Sequence, residues 1–176
     1  MIREATFQDA TAIARIHVGT WRIAYAGIVS DDYLASLSVE KRIKSWEERL
    51  TDGRTTILVA EKDGQVIAWA SGGASRDADA GSDAEVYAIY VSPEHWACGV
   101  GSELMTRMED SLPDRGSTTL WVLQDNQRAI RFYHRIGYRP DGTRKEIRLG
   151  DADLCEVRFR KSAPNKKIEP SHGVSA

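Results

Sequence analysis

The stretch from Ala84 to Met108 constrains the fold more than any other part of this sequence. Its first half, Val86 to Val91, is β-branched and aromatic, which is typical of a strand, and Pro93 ends that pattern. Two glycines, Gly99 and Gly101, then lead into apolar residues at helical spacing, which are Val100, Leu104, Met108 and Leu112. The stretch therefore predicts a strand, a glycine loop and a helix. Backbone N–H groups at a helix N-terminus that is reached through glycines bind anions.

The glycine spacing narrows the choice of anion. A P-loop requires Gly-Lys-Ser/Thr after its first glycine, and this chain has no such run. A dinucleotide-binding loop requires a third glycine three residues after Gly101, where the chain has Leu104. The loop instead resembles the acetyl-CoA loop of the GNAT acetyltransferase superfamily, whose pattern Arg/Gln-x-x-Gly-x-Gly/Ala falls here on residues 96–101.

This resemblance implies that the backbone amides of the loop hold the pyrophosphate of CoA. Both glycines of the pattern are present, but Trp96 replaces the leading Arg or Gln and Ala97 replaces another frequent glycine. The loop residues implied to bind acetyl-CoA are Ala97, Cys98, Gly99, Val100, Gly101 and Ser102. Because the backbone amides of the loop, and not its side chains, are implied to hold the pyrophosphate, the replacements at Trp96 and Ala97 bear on the affinity for acetyl-CoA more than on the identity of the ligand.

A second motif, from Asn126 to Tyr138, resembles the other GNAT signature, Asn-x-x-Ala-x-x-Phe-Tyr-x-x-x-Gly-Phe/Tyr. With both motifs in the expected order, the chain is identified as a member of the superfamily. The resemblance implies that Tyr133 binds near the CoA sulfur and protonates the leaving thiolate, and that Asn126 contacts the cofactor or an ordered water. Without the motif, Tyr133 is interpreted as a core residue of a helix and Asn126 as a helix cap.

Glu85 is the candidate general base, because acyl transfer to an amine requires a group that accepts a proton. On a strand Glu85 shares its face with Tyr87 and Ile89, and many GNAT members carry a glutamate on this strand in that role. The alternative is a solvated residue at the start of a strand, and Asp83 is a nearby substitute.

The predicted strand also carries backbone groups that the resemblance assigns to the cofactor. In GNAT enzymes this strand diverges from the next one, and its unpaired main-chain groups bind the acetyl carbonyl and the pantetheine arm. The residues implied here are Ile89, Tyr90 and Val91. A backbone donor aimed at the thioester oxygen stabilises the oxyanion that develops there.

The order of predicted elements indicates one α+β domain. Two opening helices, an antiparallel meander and then strand, helix, strand, helix and strand predict a mixed, mostly antiparallel central sheet flanked by helices, which is also the GNAT fold. The last strand material is expected at Tyr138, a turn at Gly142, and Leu154 to Phe159. The domain is expected to cover residues 1–161, and residues 162–176 are expected to form a disordered tail.

Composition excludes several classes of protein. The chain has 176 residues, a net charge of −2 and 41% hydrophobic residues, which favour a globular enzyme over a nucleic-acid-binding protein. Its apolar runs are shorter than a membrane span, and its N-terminus differs from a signal peptide, so we expect no membrane contact and a cytoplasmic location. Cys98 and Cys155 lie outside metal-ligand spacing, and no metal is expected.

The expected activity is direct transfer of an acetyl group from acetyl-CoA to the amine of a small molecule, such as a polyamine. The segment from Trp21 to Leu34 resembles the opening of small bacterial GNAT members that act on such amines, so Trp21, Tyr25 and Tyr33 are candidate acceptor contacts. The alternative is that these aromatic residues only pack. A protein or peptide amine as acceptor, a non-catalytic acyl-CoA-binding module and a homodimer also stay open, since many relatives dimerise.

Overall fold

The computed structural model describes residues 1–112 and 116–162. The helices are α1 (Ala10–Ala24), α2 (Asp31–Ser36), α3 (Val39–Asp52), α4 (Val100–Ser111) and α5 (Gln127–Arg135). The strands are β1 (Ile2–Glu4), β2 (Thr56–Lys62), β3 (Gln65–Ala74), β4 (Ala84–Val91), β5 (Ser117–Leu123), β6 (Arg139–Leu149) and β7 (Ala152–Ser162).

The strands form one seven-stranded sheet in the order β1-β2-β3-β4-β5-β7-β6. All neighbouring strands are antiparallel except β4 and β5, which are parallel and are connected through α4. The predicted α+β class and the mixed, mostly antiparallel sheet are confirmed.

Apolar side chains cover both faces of this sheet. On one face α1 and α3 pack on the central strands around Ile13, Trp46 and Trp69. On the other face α4 and α5 pack around Leu104 and Tyr133. The sheet therefore separates two helical layers, and anything that joins them must pass between strands. Among the described residues, no helix is long and apolar enough to span a membrane.

Strand β4 contains a bulge that changes which of its side chains share a face. Ser71 pairs with Ala88 but the next residue, Gly72, pairs with Val86, so Tyr87 is the extra residue. Ile89 consequently packs in the same apolar cluster as Val86. The expectation that Glu85 shares a face with Ile89 is wrong, because a bulge shifts the alternation by one residue.

The C-terminal part of the sheet is longer than the sequence indicated. Residues 139–162 form a hairpin of two eleven-residue strands whose turn is at Gly150 and Asp151. Gly142 lies inside β6, where the register with β7 shifts between Pro140 and Arg144. Ser162, assigned to the tail, is the last residue of β7, and the rest of that predicted tail lies outside the described residues.

Candidate active site

The parallel strands β4 and β5 separate soon after they begin. They pair only at Ala84 with Thr118 and at Glu85 with Thr119, although both strands continue for several residues. The Ser92 N–H donates to the Ile67 carbonyl at 2.9 Å. In an antiparallel pair of strands, residues whose backbone bonds to the partner strand alternate with residues whose backbone points away from it, so Ser92 and Tyr90 bond to β3 and Val91, which lies between them, does not. The backbone groups of Ile89 and Val91 therefore point toward the gap, as the resemblance implied.

A cavity of about 840 Å³ occupies this gap and reaches both faces of the sheet. On the α4–α5 face its lining includes the glycine loop, Asn126, Phe132 and Tyr133. On the α1–α3 face it includes Trp21, Tyr25 and Trp46. Because one cavity joins the two layers, a ligand that enters from one face can meet a ligand that enters from the other.

The glycine loop opens α4 as the sequence predicted. Gly99 has a φ of +86° and precedes the helix, and no side chain caps the helix N-terminus. Its free N–H groups face the loop, where an anion fits. Ala97 has a φ of +62°, which is a left-handed conformation that favours the glycine it replaces. Four of the predicted loop residues line the cavity (Ala97, Gly99, Gly101 and Ser102), whereas Cys98 and Val100 do not.

Trp96 packs inward at the start of this loop. Its indole N–H donates to the Val91 carbonyl at 2.7 Å, so that carbonyl is occupied by the protein itself. The guanidinium of Arg128 lies over the Trp96 ring, with Cζ 3.3 Å from the ring centroid. Partial burial and the neighbouring charge of Arg131 lower the pKa of Arg128.

Three arginines on α5 line the cavity on the same face as the loop, and they are Arg128, Arg131 and Arg135. None of them forms an ion pair within residues 1–112 and 116–162. These arginines are not among the site residues predicted from the sequence, although their spacing of three and four residues on one helix is visible there.

Tyr133 and Asn126 lie in the cavity wall at opposite ends of α5. Asn126 caps the helix, since its Oδ1 accepts a hydrogen bond from the Ala129 N–H at 3.1 Å. Tyr133 is 8% exposed, and burial raises the pKa of its phenol, with a further contribution from Tyr25. A buried phenol with a raised pKa keeps its proton, so Tyr133 is a hydrogen-bond donor inside the cavity.

Tyr90 contributes through its side chain. Its backbone pairs with Trp69 of β3, so the backbone role expected for Tyr90 does not fit this register. Its hydroxyl accepts a hydrogen bond from the Trp21 indole at 2.8 Å and lies 3.3 Å from the Tyr25 hydroxyl. Trp21 and Tyr25 also line the cavity, and their role as acceptor contacts stays a prediction. Tyr33 does not line it and lies against Gly150, at the turn between β6 and β7.

Glu85 is buried in an ion pair with Arg76. Its carboxylate accepts hydrogen bonds from the Arg76 backbone N–H at 2.9 Å and from Nε at 3.1 Å, and it also contacts Nη2. The side chain is 1% exposed and does not line the cavity, whereas Arg76 does. Within the described residues, Glu156 of β7 is the one carboxylate that lines the cavity, and its Oε2 lies 3.3 Å from Lys145 Nζ.

The acidic loop between β3 and β4 is held by arginines of β7. Arg158, which is 4% exposed, pairs with Asp77, Asp79 and Asp141. Arg160 pairs with Asp83. Ion pairs therefore fix this loop, and the carboxylates of Asp77, Asp79 and Asp83 are engaged within the protein.

The arrangement fits CoA on one face of the sheet. An uncapped helix N-terminus and three arginines can hold its phosphates, and the gap between β4 and β5 admits a narrow arm between the two layers. The site therefore has the form of an acyl-CoA-binding transferase site.

Comparisons with known proteins agree with this class. The sequence profile of the Acetyltransferase (GNAT) family matches residues 21–138. The uncharacterized N-acetyltransferase YuaI of Bacillus subtilis is 32% identical over 170 residues, which cover 89% of this chain and 95% of YuaI. The L-amino acid N-acyltransferase MnaT of Escherichia coli is 28% identical, with 96% of both chains covered.

A solved structure shows the same fold. The PaiA N-acetyltransferase of Thermoplasma acidophilum, in complex with coenzyme A, superposes with a TM-score of 0.69 at 21% identity, covering 93% of this chain and 98% of that one. This chain belongs to the GNAT acetyltransferase family. It is an acetyl-CoA-dependent N-acetyltransferase.

Proposed function

We propose that this protein transfers the acetyl group of acetyl-CoA directly to the amine of a small molecule bound in the cavity between β4 and β5. The observation that carries the proposal is the single cavity that joins the glycine loop and Tyr133 on one face of the sheet to Trp21 and Tyr25 on the other. The name of MnaT, an L-amino acid N-acyltransferase, supports a small acceptor.

Acetyl-CoA supplies the activated acetyl group. The N–H groups at the start of α4 hold its pyrophosphate, and Arg128, Arg131 and Arg135 supply positive charge beside it. The backbone of Ile89 and the N–H of Val91 face the gap, where a donor stabilises the oxyanion of the thioester carbonyl. Asn126 fixes the start of α5 and thereby the position of Tyr133.

In the transfer, the neutral amine nitrogen attacks the carbonyl carbon and the C–S bond breaks. Tyr133 donates its phenolic proton to the leaving thiolate and recovers a proton from solvent. Much of the acceleration comes from holding the amine and the thioester together in the gap.

The amine proton needs an acceptor, and two carboxylates are candidates. Glu85, predicted from the sequence, is buried behind Arg76 and reaches the cavity only if that arginine moves aside. Glu156 lines the cavity, and Lys145 Nζ lies 3.3 Å from its Oε2. Access therefore favours Glu156, acting directly or through a water molecule, and the base role of Glu85 stays a prediction.

The route of the acetyl group is tested with isotopically labelled acetyl-CoA and a panel of small amines. We expect mass spectrometry to find the label on an acceptor and none on the protein during turnover. A labelled Cys98 that then delivers its acetyl group would contradict direct transfer. Labelled acetate alone, with no acetylated amine, would contradict the transferase activity.

A further inference from the structure

The cavity contains two groups of arginines on opposite faces of the sheet. Arg128, Arg131 and Arg135 belong to α5, on the face where the glycine loop lies. Arg42 and Arg49 belong to α3, in the layer packed on the other face. The sheet lies between the two groups of arginines. Arg42 and Arg49 therefore lie outside the half of the cavity that contains the glycine loop, and they face the half that the acceptor enters.

Arg42 and Arg49 are seven residues apart and project from one face of α3, together with Trp46. Neither arginine forms an ion pair in the part of the chain that the structure describes. Two unneutralised cations on the wall of a cavity attract an anion.

A buried histidine lies beside these arginines. His17 of α1 is 9% exposed and lines the cavity, and neither of its ring nitrogens has a hydrogen-bond partner among the described residues. Burial, followed by the charges of Arg42 and Arg49, lowers its pKa to about 3, so the imidazole is neutral and has one N–H to donate. Buried polar atoms normally have partners, and a ligand oxygen would provide one.

Aromatic rings surround this histidine. The ring of Tyr90 stacks on His17 with centroids 5.2 Å apart, and the rings of Trp69, Trp21 and Trp46 lie at 5.4, 5.6 and 6.1 Å. The acceptor half therefore combines apolar walls with an N–H donor and two cations. That combination suits an organic anion with an apolar body.

The carboxylates that would bind a polycation are engaged elsewhere. Asp77, Asp79 and Asp83 pair with Arg158 or Arg160. Within the described part of the lining, Glu156 is the single carboxylate, and it pairs with Lys145. A polyamine would bring several positive charges to a surface of like charge, which is unfavourable.

We propose that Arg42, Arg49 and His17 bind a carboxylate of the acceptor, and that the acceptor is therefore an amine that also carries a carboxylate. This inference rests on the proposed acetyl transfer. The two cations form charge-assisted hydrogen bonds to the carboxylate, the imidazole N–H donates to it, and Trp21 and Trp46 contact the carbon skeleton. The amine end is directed to the gap near Tyr133.

The acceptor class is tested with matched pairs of amines that differ in the carboxylate. L-phenylalanine is compared with phenethylamine and with L-phenylalaninamide, and further amino acids are compared with their decarboxylated amines. γ-Aminobutyrate is compared with butylamine. Spermidine represents the polycations. We expect each acid that is acetylated to have a kcat/KM at least about tenfold above its matched amine.

The outcomes separate this inference from the proposed function. Acetylation of amines or spermidine at rates equal to or above those of the acids would overturn carboxylate recognition while the transferase activity stands. Absence of turnover with every acceptor would overturn the proposed function, and this inference with it.

Variants of α3 test whether Arg42 and Arg49 bind the carboxylate of the acceptor. Arg42→Gln and Arg49→Gln should each raise KM for an acid about tenfold and leave KM for its matched amine and for acetyl-CoA unchanged. Lys44→Gln is the control, because it removes one charge from an exposed position of the same helix outside the cavity lining. Equal losses for acids and matched amines in the arginine variants would show a structural role and overturn the proposal.

Discussion

The guanidinium of Arg128 stacks on the indole of Trp96, with Cζ 3.3 Å from the ring centroid. Trp96 holds the position where the GNAT loop pattern has Arg or Gln, and Arg128 comes from α5. The guanidinium of Arg128 thus places a cation beside the start of the glycine loop, although the loop itself does not provide it. The stacked ring also limits the freedom of the arginine, so less entropy is lost when it binds an anion.

Replacing Arg128 should weaken the binding of acetyl-CoA. We expect Arg128→Gln to raise the Kd for acetyl-CoA about tenfold, because one charge-assisted contact to a phosphate is lost, and to leave kcat nearly unchanged. Isothermal titration gives the Kd. Arg107→Gln on the exposed side of α4 is the matched control and should bind normally. Equal affinities of the Arg128 variant and this control would remove Arg128 from the phosphate-binding group.

Removing the phenolic hydroxyl of Tyr133 should slow turnover. Tyr133→Phe is expected to lower kcat about a hundredfold, because the thiolate then leaves without a proton donor, and to leave the Kd for acetyl-CoA unchanged. Tyr138→Phe is the control. Tyr138 is also buried, but its hydroxyl donates to Glu109 at 2.8 Å outside the cavity. That change should cost about 1.5–3 kcal/mol of stability and keep kcat. A fully active Tyr133→Phe enzyme would eliminate the general-acid role.

The two candidate bases are distinguished by the dependence of kcat/KM on pH. We expect Glu156→Gln to lose the acidic limb of the profile, because Glu156 lines the cavity. Glu85→Gln should instead lose about 1–3 kcal/mol of unfolding free energy, because its buried carboxylate holds Arg76. Retention of the acidic limb in Glu156→Gln, with its loss in Glu85→Gln, would assign the base to Glu85.

His17 makes the stability of the fold depend on pH. Its pKa is about 3 in the folded protein and 6.5 ordinarily, so between these values the unfolded chain binds a proton that the folded chain does not. Stability should therefore fall as the pH decreases below about 6.5, by up to about 1.4 kcal/mol per pH unit. Urea unfolding between neutral pH and about pH 5 measures this slope without interference from Asp9, whose pKa is lowered to about 2 by Arg3.

Two variants isolate the contribution of His17. His17→Phe keeps a ring in the aromatic cluster and should flatten the dependence of stability on pH. His134→Phe, at an exposed position of α5, should keep the slope of the native protein. The same slope in His17→Phe would show that other groups carry the effect.

The sequence predicted the parts of this fold that local patterns determine. The strand before the glycine loop, the helix after it and the cap at Asn126 depend on neighbours a few residues away, and each is present. Local periodicity and the two motifs were sufficient for these features. Of the three aromatic residues that the resemblance offered as acceptor contacts, Trp21 and Tyr25 line the cavity and Tyr33 does not.

Features that depend on distant partners could not be predicted in this way. The bulge at Tyr87 follows from pairing with β3 and changes which residues share a face with Glu85. The ion pairs that hold the acidic loop between β3 and β4 require Arg158, which is about eighty residues away in the chain. Arg42 and Arg49 appear in the sequence as ordinary charges of a helix, and only the layer arrangement places them in the cavity.

Acceptor-dependent release of CoA thiol from acetyl-CoA tests the proposed acetyl transfer most directly. We expect steady release that requires a small amine, saturates with it and produces one acetylated amine for each thiol. A folded protein whose melting temperature rises with acetyl-CoA, but which releases no thiol with any small amine, would contradict it.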